Sequence, residues 1–261
     1  MNEKKPVGKV YLVGAGPGDP GLLTIKAYSI LKKCDLVIYD ALLNEEILKY
    51  VSEDAEKVFI GKSRHHCRLS QDEVEKMMVK KATEGKIVVR LKGGDPFMFG
   101  RGGEEAETLS EFAIPWEVIP GVSSGIAAPA YAAIPLTHRD CASSVTFITG
   151  HDANNKPKVE WKKIRKNFNT LVIYMGVTNI REIIKQLLQS NYSPDTPIAI
   201  IESGTTEKQK IRTGALSGII DLVDTEPIET PALIVIGDVV RYREKLTAHL
   251  SFSPPDLTDF K

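Results

Sequence analysis

The chain has 261 residues, of which 42% are hydrophobic and 26% are charged, and its 34 basic residues equal its 34 acidic ones. This length exceeds the roughly 100–200 residues of a typical domain, so the sequence predicts two globular domains. The balanced charge argues against nucleic acid or an anionic membrane as the main partner, because both favour a strong basic excess. No apolar run approaches the about 18 residues that span a bilayer. The start of the chain also lacks the apolar run of a secretory signal, so we expect a cytoplasmic protein.

The three cysteines, Cys34, Cys67 and Cys141, are far apart and form no CxxC pair. Neither a disulfide framework nor a zinc site is therefore indicated. His65 and His66 precede Cys67 directly, but adjacent residues on a strand point to opposite faces. We expect no metal site.

Short β-branched runs alternate with longer amphipathic runs, a pattern typical of α/β proteins with a mostly parallel sheet. The strands predicted in the first half are Lys9–Val13, Asp35–Tyr39, Lys57–Ile60, Lys86–Leu91 and Glu117–Ile119. Those predicted in the second half are Ser144–Thr149, Thr170–Tyr174, Ile198–Glu202 and Ala232–Ile236, with Gln209–Thr213 as a short antiparallel addition. The clearest helices are Thr24–Lys33, Gln71–Glu84 and Thr178–Gln189, the second preceded by a capping box of Ser70 and Glu73. A Pro-Gly break after Ile119 predicts domains 1–119 and 120–247, followed by a tail, 248–261.

The first predicted strand leads into a glycine-rich turn, Gly14–Gly21. Its last three glycines have the spacing of a dinucleotide fingerprint, and Asp40 ends the second strand where a ribose-binding acid would lie. Pro17 and Pro20 each remove an N–H donor, however, and a pyrophosphate site depends on such donors. The turn leaves two hypotheses open, a nicotinamide or flavin site and a tight strand-to-helix connection.

A second glycine-rich run follows the predicted strand that ends at Leu91. It contains five glycines within the eleven residues 93–103, together with Asp95, Arg101 and Glu104. Open α/β sheets bind ligands at the carboxyl ends of their strands. The run that begins Lys92-Gly-Gly-Asp-Pro therefore predicts a ligand site.

These segments together resemble the tetrapyrrole methylases over residues 8–247, and among them the members that act on uroporphyrinogen III. The motifs that carry the resemblance are Val10–Thr24, Val37–Asp40, Gly61-Lys62, Arg90–Glu105, Val118–Ser124, Ile134–Asp140, Thr149–His151, Tyr174–Gly176 and Glu202–Thr205. Their joint order and spacing make the resemblance specific.

The resemblance implies two α/β domains of the tetrapyrrole methylase type, with the active site in the interdomain cleft, and a homodimer. It implies an S-adenosylmethionine-dependent C-methyltransferase that converts uroporphyrinogen III to precorrin-2 via precorrin-1 and releases S-adenosylhomocysteine. The product would feed sirohaem, cobalamin or haem d1 synthesis. Because S-adenosylmethionine carries no phosphate, prolines in the first turn are compatible with it. A methylase of a later precorrin and an NAD-dependent oxidoreductase remain as alternatives.

The resemblance also implies which residues contact the cofactor. These are Pro17, Gly93, Gly94, Asp95, Met98, Ser123, Ser124, Met175 and Gly204. Ser123 and Ser124 stand where the family commonly has Thr-Ala. Met98 stands where Ile or Leu is common, and we expect it to act through its backbone. For Met175, packing against the cofactor and a plain core position are both open.

The resemblance points to Asp40 as the proton acceptor and to Lys62 as the proton donor. The alternatives are a helix cap for Asp40 and an exposed loop position for Lys62. Uroporphyrinogen III carries many carboxylates, which arginine pairs with best. Arg101, Arg139, His138 and Met175 are the expected substrate contacts, with Arg64, Arg90 and Lys92 as further candidates. Glu104 either orients Arg101, acts as an alternative base, or forms an ordinary i,i+3 surface pair with it.

Overall fold

The computed structural model describes residues 6–61, 69–150 and 169–251. The chain divides between Ser123 and Ser124 into two compact units, each with its own five-stranded sheet. The α/β class is therefore confirmed. The predicted boundary between residues 119 and 120 lies in the turn just before this division, and whether each unit folds by itself stays a prediction.

The first unit, residues 1–123, contains a sheet of parallel strands in the order β3-β2-β4-β1-β5. The strands are β1 Lys9–Gly14, β2 Leu36–Tyr39, β3 Glu56–Phe59, β4 Ile87–Lys92 and β5 Trp116–Ile119. The helices are α1 Ile25–Leu31, α2 Gln71–Thr83 and α3 Gly102–Glu111, and 3-10 turns cover Pro20–Leu22 and Glu45–Tyr50. Because the strands are parallel, their carboxyl ends lie at one edge of the sheet.

Both faces of this sheet are buried. Along β1, Val10 and Leu12 face one apolar layer and Val13 faces the other, as expected of a strand whose side chains alternate between faces. The first layer includes Met78 of α2, and the second includes Leu31 of α1. The two helices thus cover opposite faces and leave the strand ends as the place for a ligand.

Helix starts in this unit follow the local sequence. The predicted capping box is confirmed, because Ser70 accepts from the backbone of Glu73 while the Glu73 carboxylate accepts from the backbone of Ser70. Thr24 caps α1 by accepting from the Ala27 N–H across 3.1 Å. Both caps satisfy backbone donors that a helix start leaves unpaired.

The second unit begins at Ser124 and contains a sheet in the order β6-β7-β10-β8-β9. Its strands are β6 Val145–Thr149, β7 Thr170–Tyr174, β8 Pro197–Glu202, β9 Lys210–Ala215 and β10 Ala232–Ile236. Its helices are α4 Ser124–Tyr131, α5 Ile180–Gln189, α6 Ile219–Thr225 and α7 Tyr242–Leu246, with 3-10 turns at Val177–Asn179, Asp238–Arg241 and Thr247–His249. The last of these turns falls at the start of the predicted tail, and residues 252–261 lie outside the described residues.

The prediction of a mostly parallel sheet is wrong for the second unit. Only β6 and β7 pair in parallel there, whereas β10 runs antiparallel to β7 and β8, and β9 runs antiparallel to β8. The short connection between β8 and β9 permits a hairpin, while a parallel pair needs a crossover of about a dozen residues. The expected antiparallel strand near Gln209–Thr213 is confirmed as β9. Since β7 and β8 both oppose β10, they share one direction, and their carboxyl ends lie at the same edge.

The predicted helices are all present with shifted ends. The segment Thr178–Gln189 starts as a 3-10 turn and becomes α5 at Ile180. In the ranges 6–61, 69–150 and 169–251, no helix has the length and apolar character needed to cross a membrane.

Candidate active site

The carboxyl edge of the first sheet gathers several of the predicted site residues. Pro17 follows β1, Asp40 directly follows β2, and the segment 93–95 directly follows β4. In the strand order, β4 lies between β2 and β1. The parallel topology therefore brings these three chain segments together.

Three glycines allow the strand ends to meet backbone to backbone. A Cβ on Gly121 would lie 2.3 Å from the carbonyl oxygen of Gly94, and one on Gly14 would lie 2.5 Å from the amide nitrogen of Gly121. Gly94 also has a φ of 69°, a conformation that favours glycine. Residues with side chains would not fit at Gly14 and Gly121, where the backbone segments at the ends of β1, β4 and β5 touch.

Two backbone donors of the first glycine turn are already in use. The N–H groups of Ala15 and Gly16 donate to the carbonyls of Lys92 and Gly94, at 2.8 and 3.2 Å. Pro17 has no N–H, and a 3-10 turn at Pro20–Leu22 separates the glycines from α1. Pyrophosphate sites need free amides at a helix start, so the turn does not support the nicotinamide hypothesis.

Asp95 is fixed by two backbone donors. Its Oδ1 accepts from the N–H of Phe97 across 2.8 Å, and its Oδ2 accepts from the N–H of Gly121 across 3.1 Å. The Met98 N–H donates to the Asp95 carbonyl at 3.3 Å. The loop after β4 therefore presents a rigid carboxylate, a group suited to a cationic ligand.

Asp40 is held in place but stays accessible. Its side chain is 29% exposed, and its Oδ2 lies 3.3 Å from Nη2 of Arg90. Its Oδ1 accepts from the Leu42 N–H across 3.1 Å, while Asn44 caps the 3-10 turn that follows. The helix-cap alternative for Asp40 is therefore wrong.

Two basic candidates on β4 lie under this edge. Arg90 and Lys92 are 4% and 5% exposed. Burial, followed by the nearby charge of Arg90, lowers the pKa of Lys92 from its usual 10.5. Lys62 and Arg64, as well as His65, His66 and Cys67, lie outside the described residues.

Arg101 and Glu104 lie at the start of α3. Arg101 precedes the helix with a φ of 60°, an uncommon conformation for a residue with a side chain, and such strain often accompanies functional sites. Its Nε donates to Oε1 of Glu104 across 3.0 Å. This hydrogen bond lowers the pKa of Glu104 and raises that of Arg101. Both side chains are about half exposed (49% and 54%), so the pair is open to a ligand.

A second group of predicted residues lies at one edge of the second sheet. Met175 follows β7 and Gly204 lies just beyond β8. Met175 has a φ of 52° and is 44% exposed, so the core interpretation of this methionine is wrong. A Cβ on Gly204 would lie 2.4 Å from the Cβ of Ala128 in α4. The Gly125 N–H donates to the Tyr174 hydroxyl across 2.8 Å, which places the start of α4, with Ser124, at the same edge.

His138 and Arg139 are not brought to that edge. Their segment lies at the amino end of β7, because the Thr170 hydroxyl donates to the Leu136 carbonyl across 2.8 Å. The His138 ring stacks on Tyr242 with the centroids 3.8 Å apart. β7 has five residues, which span about 13 Å at the usual rise per residue. Within the second unit, these two residues and Met175 therefore lie at opposite ends of a strand.

Glu105, which had no predicted role, is fully buried against Arg90 and Lys92. Helical spacing could have indicated that Glu105 is buried. Glu105 adjoins Ala106 and precedes Leu109 by four residues, and all three lie on the buried face of α3. No group of three potential metal ligands is present among the residues that the structure describes.

These features define a class of protein. It is a two-unit α/β protein in which a glycine-rich turn and a loop with a fixed carboxylate, Asp95, meet at one edge of a parallel sheet. The family model "Tetrapyrrole (Corrin/Porphyrin) Methylases" matches residues 9–220. The chain belongs to this family, which confirms the resemblance found in its motifs.

Individual relatives are similar over nearly the whole chain. The uroporphyrinogen-III C-methyltransferase of Bacillus subtilis is 52% identical over 92% of this chain and 94% of that protein. A siroheme synthase of Neisseria meningitidis is 51% identical over 92% of this chain, which spans only 49% of that longer protein. The solved uroporphyrin-III C-methyl transferase of Thermus thermophilus, complexed with S-adenosyl homocysteine, is 38% identical. It covers 90% of this chain and 99% of its own, with a TM-score of 0.79.

Proposed function

We propose that this chain is an S-adenosylmethionine-dependent C-methyltransferase that converts uroporphyrinogen III to precorrin-2 by two successive ring-carbon methylations. The observation that carries the proposal is the 52% identity with a uroporphyrinogen-III C-methyltransferase over 92% of the chain. A solved cobalt precorrin-4 methyltransferase has the same fold at a TM-score of 0.79 but is only 28% identical. The difference in identity favours uroporphyrinogen III over a later precorrin.

The residues at the carboxyl edge of the first sheet fit S-adenosylmethionine. This cofactor is a cation without phosphate and supplies an electrophilic methyl group. Asp95 is fixed by two backbone N–H groups and offers the negative charge that the amino group of S-adenosylmethionine requires. The other cofactor contacts, proposed from the family resemblance, are Pro17, Gly93, Gly94, Met98, Ser123, Ser124, Met175 and Gly204. The amides of Ala15 and Gly16 are occupied, which matters little for a ligand without phosphate.

Asp40 is the proposed proton acceptor. Methylation of a pyrrole carbon makes the macrocycle cationic, and a ring proton must then leave. The Asp40 carboxylate is held by the Leu42 amide and by Arg90 and remains 29% exposed, so it can receive that proton. Lys62 is the proposed proton donor by family resemblance.

The substrate's carboxylates need cationic partners. Arg101 is the best supported of these, since it is half exposed and lies beside the loop that holds Asp95. Glu104 would orient its guanidinium through the hydrogen bond between them. Arg139, His138 and Met175 are proposed as further substrate contacts from the family resemblance.

The test is anaerobic incubation of the protein with S-adenosylmethionine and uroporphyrinogen III, followed by detection of the fluorescent oxidised dimethylated product. Calorimetry with S-adenosylhomocysteine measures cofactor binding separately. We expect product and binding, whereas the absence of both would overturn the proposal. Faster turnover of a later precorrin in direct competition would favour the alternative substrate, and thermal protection by NAD alone would favour an oxidoreductase.

Asp40→Asn separates catalysis from binding. We expect the dissociation constant of S-adenosylhomocysteine to stay within about two-fold and kcat to fall on the order of 10²-fold or more, as for loss of a general base. Asp54→Asn, at an exposed loop position, is the matched control and should keep kcat. Equal kcat in Asp40→Asn and wild type would remove Asp40 from the proposed mechanism.

We further propose that the chain works in the cytoplasm as a homodimer. The family resemblance supports the dimer, and the balanced charge and lack of a cysteine framework support the compartment. Sedimentation at micromolar concentration tests the first proposal, with twice the chain mass expected. Cell fractionation tests the second.

A further inference from the structure

Glu105 is the most deeply buried charged side chain at the proposed site. It is 0% exposed and lies in the first turn of α3, directly after Glu104. Its Oε1 accepts from Nζ of Lys92 at 2.9 Å, from Nε of Arg90 at 3.0 Å and from Nε2 of Gln71 at 3.1 Å. Within the described residues, its Oε2 has no hydrogen-bond partner. One carboxylate oxygen thus serves three donors, two of them cations.

Arg90 links this carboxylate to Asp40. Its Nε donates to Glu105, its Nη1 donates to the Leu91 carbonyl across 3.1 Å, and its Nη2 donates to Asp40 across 3.3 Å. All three nitrogens of the planar guanidinium are therefore engaged, which fixes its orientation. Because Nε donates to Glu105 and Nη1 donates to the carbonyls of Leu91 and Ile38, Arg90 reaches Asp40 through Nη2 alone. The other Asp40 oxygen stays on the Leu42 N–H.

Loss of the Glu105 charge would change this arrangement. Arg90 and Lys92 would then share Asp40 as their remaining carboxylate, and a freed Nε allows bidentate pairing of Arg90 with Asp40. Such pairing turns the Asp40 carboxylate away from its present orientation. Burial alone does not explain the cluster, since buried ion pairs often stabilise a fold no more than apolar residues of similar size.

We propose that Glu105 is a positioning residue that holds the Asp40 carboxylate in its reactive orientation through Arg90. This inference rests on the proposed function, in which Asp40 accepts the proton. Glu105 itself contacts Arg90, Lys92 and Gln71 rather than the Asp40 carboxylate.

The test is a double-mutant cycle on kcat with Glu105→Gln and Asp40→Asn. Glutamine keeps the size of the side chain and one acceptor oxygen but removes the charge. We expect Glu105→Gln to lower kcat on the order of 10-fold, as for a small misplacement of a reacting group. KM for uroporphyrinogen III and the dissociation constant of S-adenosylhomocysteine should change less than about 3-fold. In the Asp40→Asn background, the same change should lower kcat less than about two-fold, since effects of coupled residues are not additive.

A matched control is Glu117→Gln. Glu117 also binds two lysines, Lys9 and Lys26, but on β5 at the surface, and its variant should keep kcat. If Glu105→Gln does not fold, Lys92→Met and Lys92→Met/Glu105→Gln replace it in the cycle, because the paired change restores the charge balance. We expect kcat of Lys92→Met/Glu105→Gln to be on the order of 10-fold lower than that of Lys92→Met. In the Asp40→Asn background, the same pair of variants should differ in kcat by less than about two-fold.

The outcomes separate this inference from the function. An unchanged kcat in Glu105→Gln, or an equal loss with and without Asp40, overturns the positioning role and leaves the methyltransferase intact. An unchanged kcat in Asp40→Asn overturns both the role of Asp40 and that of Glu105. No methylation by the wild-type protein overturns the proposed function and, with it, this inference.

Discussion

The N–H of Gly121 donates to Oδ2 of Asp95 across 3.1 Å, so the turn after β5 is tied to the loop after β4. In the strand order, β1 lies between β4 and β5. The contact therefore passes over the end of β1, beside Gly14, and its removal should affect both the ligand and the fold.

Asp95→Asn should weaken binding of S-adenosylhomocysteine on the order of 10-fold. The carboxamide keeps one acceptor oxygen but turns an NH2 group toward Phe97 or Gly121, so one hydrogen bond and the negative charge are lost. Hydrogen bonds to charged groups are worth about 1.5–3 kcal/mol. Calorimetry checks the affinity, and an unchanged affinity would contradict the role of Asp95. Asp54→Asn is again the control.

Gly121→Ala should lower the free energy of unfolding by about 1–3 kcal/mol, the usual cost of overpacking. The added Cβ would lie 2.3 Å from the Gly94 carbonyl oxygen, and backbone on both sides cannot yield easily. Gly218→Ala is the matched control, because a Cβ there meets nothing within 4 Å. Urea unfolding of the two variants measures the difference, and equal midpoints would show that the glycine contact is not tight.

Arg101→Gln should raise KM for uroporphyrinogen III on the order of 10-fold, because a charge-assisted hydrogen bond to a substrate carboxylate is lost. The pKa of Glu104 should rise toward its usual 4.5, since the hydrogen bond from Arg101 is the main cause of its lowering. Steady-state kinetics and NMR titration of the labelled carboxyl check the two effects. Arg241→Gln breaks another exposed i,i+3 pair, with Asp238, and should leave KM unchanged.

Glu117 should make the stability of the protein depend on pH. Hydrogen bonds from Lys26 and Lys9 lower the pKa of this carboxyl from 4.5 to about 2. A lowered folded-state pKa stabilises the fold above pH 4.5, and this contribution disappears as the pH falls toward 2. Near neutral pH, the free energy of unfolding of the wild type should exceed that of Glu117→Gln by about 1 kcal/mol, the scale of surface ion pairs. Urea unfolding from pH 7 down to pH 3 should show the gap narrowing, and a constant gap would contradict the assignment.

Local sequence predicted the elements better than their directions. The five strands of the first sheet follow from short β-branched runs that alternate with amphipathic ones, and the capping box at Ser70 follows from a short motif. The parallel arrangement assumed for the second sheet failed at β10, because a buried strand has the same apolar pattern in either direction. The shorter helices α3, α4, α6 and α7 had no predicted bounds. In α3 and α4, glycine or proline inside the helix weakens the local helical signal.

The sequence by itself determined that Pro17, Asp40 and Asp95 follow strands, because the polar, glycine or proline residues that end an apolar run are local signals. The tertiary structure decided which of the adjacent glutamates at the start of α3 faces inward, since one residue turns a helix by about 100°. Glu104 therefore pairs with Arg101 in solvent, while Glu105 binds Arg90 and Lys92 in the interior. The run that begins at Lys92 thus contains a proposed cofactor contact, Asp95, and a buried cation, Lys92, that pairs with Glu105. Only the pairing of β4 with β2 brings Arg90 to Asp40, because contacts across a sheet depend on strand order, which no local pattern encodes.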